Sequence, residues 1–217
     1  MEIPKVIYFC NKTLDKMKEY SDNWKRLNPE YEIKLYDDQM CIDFLIQEYS
    51  ELHGEVFNFI QDGPIKADFW RLCIVNKYGG LYVDADIEPI LPLYKYIEED
   101  DDFVTCISGN FTKDRYAFQL NPHFILSNKN NDFLQKFIDN YIDLFINKIN
   151  YEYWNWSICN IMQIKGINEK KSQVIYLNNQ KCKFLLEQDC LEKCEYNDTI
   201  VLKNRYSNYN KFTHNFV

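Results

Sequence analysis

The chain has 217 residues and 46% apolar content, enough for one domain with a sizeable core. Its formal charge of −8, with no clustered stripe of Lys and Arg, excludes a nucleic-acid surface, and an acidic protein that holds an anion needs a local cation or a metal. No stretch approaches the ~18 apolar residues of a membrane span. The start, Met1 to Lys5, carries no signal-peptide core, so the expectation is a cytoplasmic protein with no transmembrane segment.

The first predicted element is a buried strand over Ile3 to Phe9. Leu14, Met17, Tyr20, Trp24 and Leu27 then recur at helical spacing, with Thr13 as the expected N-cap and Asn28-Pro29 as the stop. Tyr31, Ile33 and Leu35 alternate with Glu32 and Lys34, the pattern of a half-buried strand. Strand, helix, strand opens an α/β unit.

Asp62-Gly63-Pro64 supplies a cap and a proline suited to a first helical turn. A nearly all-apolar helix follows to Tyr78, with Gly79-Gly80 as its C-cap pair. Leu81-Tyr82-Val83 reads as a short buried strand running into Asp84-Ala85-Asp86, and Phe103 to Ile107 as another strand. Residues 108 to 123 read as a polar loop of a length usually kept for function. Phe133, Phe137, Tyr141, Leu144 and Phe145 mark an amphipathic helix, and Val174 to Leu177 and Thr199 to Leu202 mark later strands.

Eight cysteines are present: Cys10, Cys41, Cys73, Cys106, Cys159, Cys182, Cys190 and Cys194. Most sit singly inside apolar runs, where a reduced thiol behaves as a small hydrophobe, and their spacing matches no standard zinc pattern. Structural free thiols are expected.

Two elements carry chemistry. Asp84 and Asp86, two apart at a strand end, leave on one side. Their mutual repulsion is relieved by a hard divalent ion, which keeps open positions for phosphate oxygens. A solvated turn with two acids is the plainer alternative. Asp68 and Arg71 lie three apart on one helical face, either as an intrahelical ion pair or as a carboxylate and guanidinium that bind sugar hydroxyls.

The composite is more specific than its parts. Asp68-x-x-Arg71, then Tyr78-Gly79-Gly80-Leu81-Tyr82-Val83-Asp84-Ala85-Asp86, resembles the DXD-motif glycosyltransferases of family 32 and their relatives. The usual form of that family is a Ser-Asp-x-x-Arg helix followed by Tyr-Gly-Gly-x-Tyr-x-Asp-x-Asp, and Ala67 stands here where Ser is frequent. The opening Ile3-Pro4-Lys5-Val6-Ile7-Tyr8 resembles the family's first strand, and the stretch from Leu120 to Leu134 more loosely its acceptor-side segment.

The resemblance implies a GT-A glycosyltransferase fold over residues 1–217, whole or cut from a longer protein. It also implies a Mn²⁺ or Mg²⁺ ion, a nucleotide-sugar donor with UDP as the leading nucleotide, and a glycan or glycoconjugate acceptor. Carried over by position, Tyr8 and Phe9 would line the nucleotide pocket, and Asp68 and Arg71 would hold ribose or sugar hydroxyls. Asp84 would contact ribose or the metal and Asp86 would ligate the metal. His214 would complete the metal shell, although the Ser-Trp that usually follows the family's histidine is missing.

Around this core the reading leaves several residues open. His123 lies on the acceptor side or is structural, His53 is structural or solvent-facing, and the cluster from Tyr151 to Trp156 stacks on sugars or fills the core. No catalytic base is identified. Two rivals remain at this level: a haloacid-dehalogenase-type phosphatase with Asp84 as nucleophile, and a nucleotide-sugar-binding domain without turnover.

Overall fold

A computed structural model describes residues 3–15, 17–108, 119–162, 167, 171–188 and 193–205, with the backbone alone of 209–210 and 215–216. At one end of its sheet, β1 (Val6–Cys10) lies between β2 (Glu32–Tyr36) and β3 (Gly80–Val83), parallel to both. β3 then pairs antiparallel with β6 (Gln119–Ser127), β6 pairs antiparallel with β5 (Phe103–Ser108), and β5 runs parallel to β8 (Gln180–Gln188). The order continues antiparallel through β9 (Lys193–Tyr196), β10 (Thr199–Asn204) and β4 (Ile87–Pro89). β7 (Gln173–Leu177) pairs with the first half of β8.

Both faces of the central strands are buried, which is why their sequences read as continuous apolar runs rather than alternating ones. Ile7, Phe9, Leu81 and Val83 point into a cluster with Met17 and Trp24 of α1 (Met17–Leu27). Tyr8 and Tyr82, between them in sequence, point into the other cluster. That second face is covered by α2 (Asp38–Glu48), α3 (Glu51–Phe59), α4 (Gly63–Tyr78), α5 (Asp132–Ile146) and the short α6 (Tyr153–Trp156) and α7 (Ile158–Ile161).

The α/β expectation holds, with differences of detail that have physical causes. α1 starts at Met17, a turn later than expected, and Leu14 is 40% exposed; the Met17 amide instead bonds the Leu14 carbonyl in a turn. α2 and α3 went unassigned because their apolar residues do not form a clean stripe; Asp37 caps α2 by accepting from the Met40 amide at 2.9 Å. The loop expected over 108–123 is strand from Gln119 onward, and residues 109–118 lie outside the described set. β8 was missed because Lys181 and Lys183 interrupt its apolar pattern.

Lys183 is fully buried. Its Nζ reaches the buried Asp101 carboxylate at 2.6 Å and the Tyr96 carbonyl at 2.9 Å, so both charges are neutralised where water is absent.

The glycine pair serves the helix-to-strand junction differently from a simple cap. Gly79 closes α4 at φ +69°, its amide bonding the Val75 carbonyl at 2.8 Å. Gly80 is already the first residue of β3, at φ +104°. A Cβ there would lie 2.9 Å from the Val6 carbonyl oxygen and 3.1 Å from the Tyr8 ring. Only glycine lets the start of β3 sit this close to β1. Gly80→Ala should therefore cost about 2 kcal/mol or more of stability, read as a shift in the urea midpoint; a change within ~0.5 kcal/mol would contradict this packing.

Candidate active site

β2 and β3 leave β1 on opposite sides, so the chain reverses direction at the β1–β3 boundary. Ligand clefts of open α/β sheets form at such points, beyond the carboxyl ends of the strands. A cavity of about 510 Å³ opens there, lined by residues that follow β1 (Asn11, Lys12), by Asp68 and Arg71 of α4, and by Asp84 and Asp86 after β3.

Arg71 organises the floor. It is 4% exposed, and each of its three nitrogens faces an acceptor. Nε donates to the Ala67 carbonyl at 3.2 Å and Nη1 to the Pro122 carbonyl at 2.7 Å. Nη2 reaches Asp68 at 3.1 Å and Asp84 at 3.0 Å, and Nη1 donates to the second Asp84 oxygen at 3.4 Å. The plane stacks over the Tyr82 ring, 4.5 Å from its centroid. Burial opposes this charge, but Asp84, Tyr82 and Asp68 outweigh it and hold the guanidinium protonated.

Asp68 and Arg71 thus form more than an ion pair within one helix. Asp68, pushed up to about 6 chiefly by burial, also accepts from the Ile158 amide at 3.1 Å, which ties α4 to α7. Asp84 is fixed as firmly: the Tyr82 hydroxyl donates to it at 2.6 Å, and its own amide bonds the His123 carbonyl at 2.9 Å. Cys10 approaches the same Tyr82 hydroxyl at 3.6 Å.

The two acids do not extend the strand, as the i, i+2 reading assumed. β3 stops at Val83, and Asp84 to Ile87 form a turn closed by the Ile87 amide on the Asp84 carbonyl at 3.0 Å. Both side chains still line the cavity. Asp86 contrasts with its neighbour: its carboxylate accepts from Asn204 at 3.2 Å and feels the His123 imidazole, but among the described residues no Lys or Arg pairs with it. Burial first, and the Asp84 charge second, push its carboxyl up to about 6. A half-buried carboxylate with no Lys or Arg partner among the described residues, beside a second one and open to a cavity, fits a hard divalent ion; Asp86 and Asp84 are the residues that would hold it.

Other sequence expectations fall elsewhere. Tyr8 and Phe9 are core residues, 2% and 0% exposed, on opposite faces of the sheet, and the cleft wall begins only at Cys10. The strand had to be buried on both sides, so neither ring is free to face a ligand. His214 lies outside the described residues. The aromatic cluster divides: Trp156 is fully buried, whereas Tyr153 and the 56%-exposed Trp154 line the cleft. His53 stacks on Phe69 at 6.1 Å, away from the cleft lining.

Sequence reading missed Tyr82 and Asn204 as supports of the acids; the tyrosine stood in the motif itself, two residues before Asp84. It also left undefined the surroundings of His123, which is 4% exposed in β6. Its Nε2 meets Cys194 Sγ at 3.2 Å and its Nδ1 faces Glu187 at 4.0 Å. Burial would lower this imidazole, but Cys194 and then Glu187 raise it to about 9.

Residues 15–104 match the family described as "Glycosyltransferase sugar-binding region containing DXD motif". An initiation-specific alpha-1,6-mannosyltransferase of Candida albicans is 29% identical over 86 residues, 38% of this chain and 22% of that protein. A mannosyl phosphorylinositol ceramide synthase of Saccharomyces cerevisiae is 29% identical over 107 residues, 45% of this chain and 28% of that protein. The chain therefore spans only about a quarter of the length of these relatives. Among solved structures, the PaToxG glycosyltransferase superposes with a TM-score of 0.50 at 14% identity, over 75% of this chain and 66% of that one. The resemblance drawn from the motif holds: the chain carries the DXD region of a glycosyltransferase on a GT-A fold. Neither the phosphatase nor the non-catalytic reading is favoured by these likenesses.

The state of Asp86 has a measurable consequence. In the folded chain its carboxyl holds a proton up to about 6, against 3.8 for an ordinary aspartate. The folded state then binds the extra proton between those values, so stability falls as the pH rises from about 4 to about 6. Asp68 acts with the same sign. In chelator-treated protein, Asp86→Asn should remove its share of that slope, read from urea midpoints at both ends of the window. An unchanged slope would contradict the environment assigned to Asp86.

Proposed function

We propose that this chain, with its DXD region on a GT-A fold, transfers a sugar from a nucleoside diphosphate sugar to a hydroxyl of a glycan or glycoconjugate. The observation that supports this reading most is the half-buried Asp86 carboxylate, with no Lys or Arg partner among the described residues, beside Asp84 in the cleft. A Mn²⁺ or Mg²⁺ ion there would bridge the protein to the diphosphate and neutralise charge as the nucleotide departs.

The protein's own residues have distinct parts. Asp86 would hold the ion directly, and Asp84, held by Arg71 and Tyr82, would support it or reach the ribose. Arg71 is already committed to Asp68, Asp84 and the Pro122 carbonyl, so it acts here by fixing Asp84 and that carbonyl rather than by gripping a hydroxyl. Asp68, whose carboxylate lines the cleft, is the residue of this pair for a sugar hydroxyl. Lys12 and Lys66 add positive charge on the nucleotide side. Tyr8 and Phe9 support that wall from behind, and His214 is the third ligand that the resemblance suggests.

Tyr153 and Trp154 form the exposed rim, an edge-to-face pair 5.2 Å apart that can stack on the apolar face of an acceptor sugar. The acceptor hydroxyl then attacks the anomeric carbon while the diphosphate leaves toward Asp86. Because the named relatives are mannosyl-transferring proteins, mannose is the first sugar to test, on GDP and on UDP; the motif resemblance favours UDP.

Two experiments test the scheme. Metal-dependent donor hydrolysis, followed by release of nucleoside diphosphate across a panel of UDP- and GDP-sugars, should require Mn²⁺ or Mg²⁺. It should fall about 100-fold or more in Asp86→Ala, the scale of losing a stabiliser of leaving-group charge; full activity in that variant would refute the site. Arg71→Lys keeps the charge but loses the five-donor fork, so donor affinity should drop about tenfold, ~1.4 kcal/mol. An unmoved dissociation constant would remove Arg71 from the site.

A further inference from the structure

Directly behind the cleft, three strands bring together a second set of ligating atoms of different chemistry. Cys106 of β5, His123 of β6 and Cys194 of β9 are 0%, 4% and 3% exposed. Their Sγ and imidazole nitrogen atoms all lie within 4.8 Å of one another. We propose that this Cys₂His cluster is a binding site for a thiolate-preferring divalent ion of the zinc class, separate from the carboxylate site at Asp84 and Asp86.

The spacing fits without repacking. Metal–ligand bonds of about 2.3 Å to sulfur and about 2.0 Å to nitrogen give tetrahedral edges of about 3.8 Å between sulfurs and about 3.5 Å between sulfur and nitrogen. Cys194 Sγ stands 3.7 Å from Cys106 Sγ and 3.2 Å from His123 Nε2. These two edges are within a few tenths of an ångström of the tetrahedral values, the third lies within 4.8 Å, and the fourth position is left for a water.

A second, independent observation points the same way. With Nε2 turned toward the sulfurs, Nδ1 is buried and has no hydrogen-bond partner. It faces the Glu187 carboxylate at 4.0 Å, and Asn121 orients that carboxylate by donating to it at 2.8 Å. Metal-bound imidazoles recurrently present their outer N–H to a carboxylate, which fixes the tautomer and strengthens the ligand. Two thiolates would also neutralise a divalent charge, as burial demands. Since His123 lines the cleft, an ion has a way in.

The contrast with the other acidic cluster is instructive. Glu98, Asp100 and Asp101 also converge, but the Lys181 ammonium already bonds Glu98 and Asp100 and pairs with Asp101 at 3.4 Å. Among the described residues no Lys or Arg fills the Cys₂His cluster. An ion there would tie β5, β6 and β9 together beneath the segment whose Pro122 and His123 carbonyls hold Arg71 and Asp84.

The test is a cobalt titration of the full chain, stripped with chelator and kept reduced. Wild type should develop a near-ultraviolet thiolate-to-cobalt charge-transfer band that saturates at one equivalent and bleaches when Zn²⁺ is added. The band should be lost in Cys194→Ser and in Cys106→Ser, and kept in Asp86→Asn and in Cys10→Ser. No band in wild type would overturn the proposal with no variant needed, so a misfolded serine mutant cannot rescue it. A band that survives both serine variants, or that disappears in Asp86→Asn, would overturn it as well. Failure of the sugar-transfer reading would leave the band unchanged.

Discussion

The structure turns on one buried guanidinium. Arg71 could not remain charged inside α4 without partners, and it takes them from three separate elements: Asp68 one turn earlier, Asp84 after β3 and the Pro122 carbonyl of β6. Because each partner is needed to satisfy the charge, their relative positions are fixed by the cost of leaving any one unpaired. The helix, the strand end and the opposite wall of the cleft are thereby held in register by a single side chain.

That arrangement distributes charge unequally between the two acids of the motif. Asp84 is satisfied by Arg71 and Tyr82, and this frees it from any need for an exogenous cation. Asp86, two residues on, has an Asn204 amide and the repulsion of Asp84. The turn that separates them places both along the cleft, but only Asp84 has an arginine partner among the described residues. In the proposed function, a protein of net charge −8 would hold its anion through a cation at Asp86 and not through a basic surface.

The sequence was most informative where composition and geometry coincide. α4 was legible because proline, an apolar run and two glycines mark its limits, and β1 and β3 because they are apolar throughout. The motif located the acids and Arg71 correctly in the cleft. It misjudged how they are held, since local spacing shows Asp68 and Arg71 on one face but not the long-range bonds from Arg71 to Asp84 and Pro122. Tyr8 and Phe9 illustrate the converse: position at a strand end suggested ligand contact, yet two-sided burial turns both rings inward. The buried Lys183–Asp101 pair hid β8, and nothing in the spacing of Cys106, His123 and Cys194 announces that three strands bring them together.

The central claim is that metal and nucleoside diphosphate share the space above Asp86. Thermodynamic linkage makes it measurable without any knowledge of the acceptor. Calorimetric titration of Mn²⁺ in the absence and presence of saturating UDP or GDP should show each ligand tightening the other by the same factor, a coupling of about tenfold or more. Independent binding, with an identical Mn²⁺ affinity whether or not the nucleotide is present, would contradict the account.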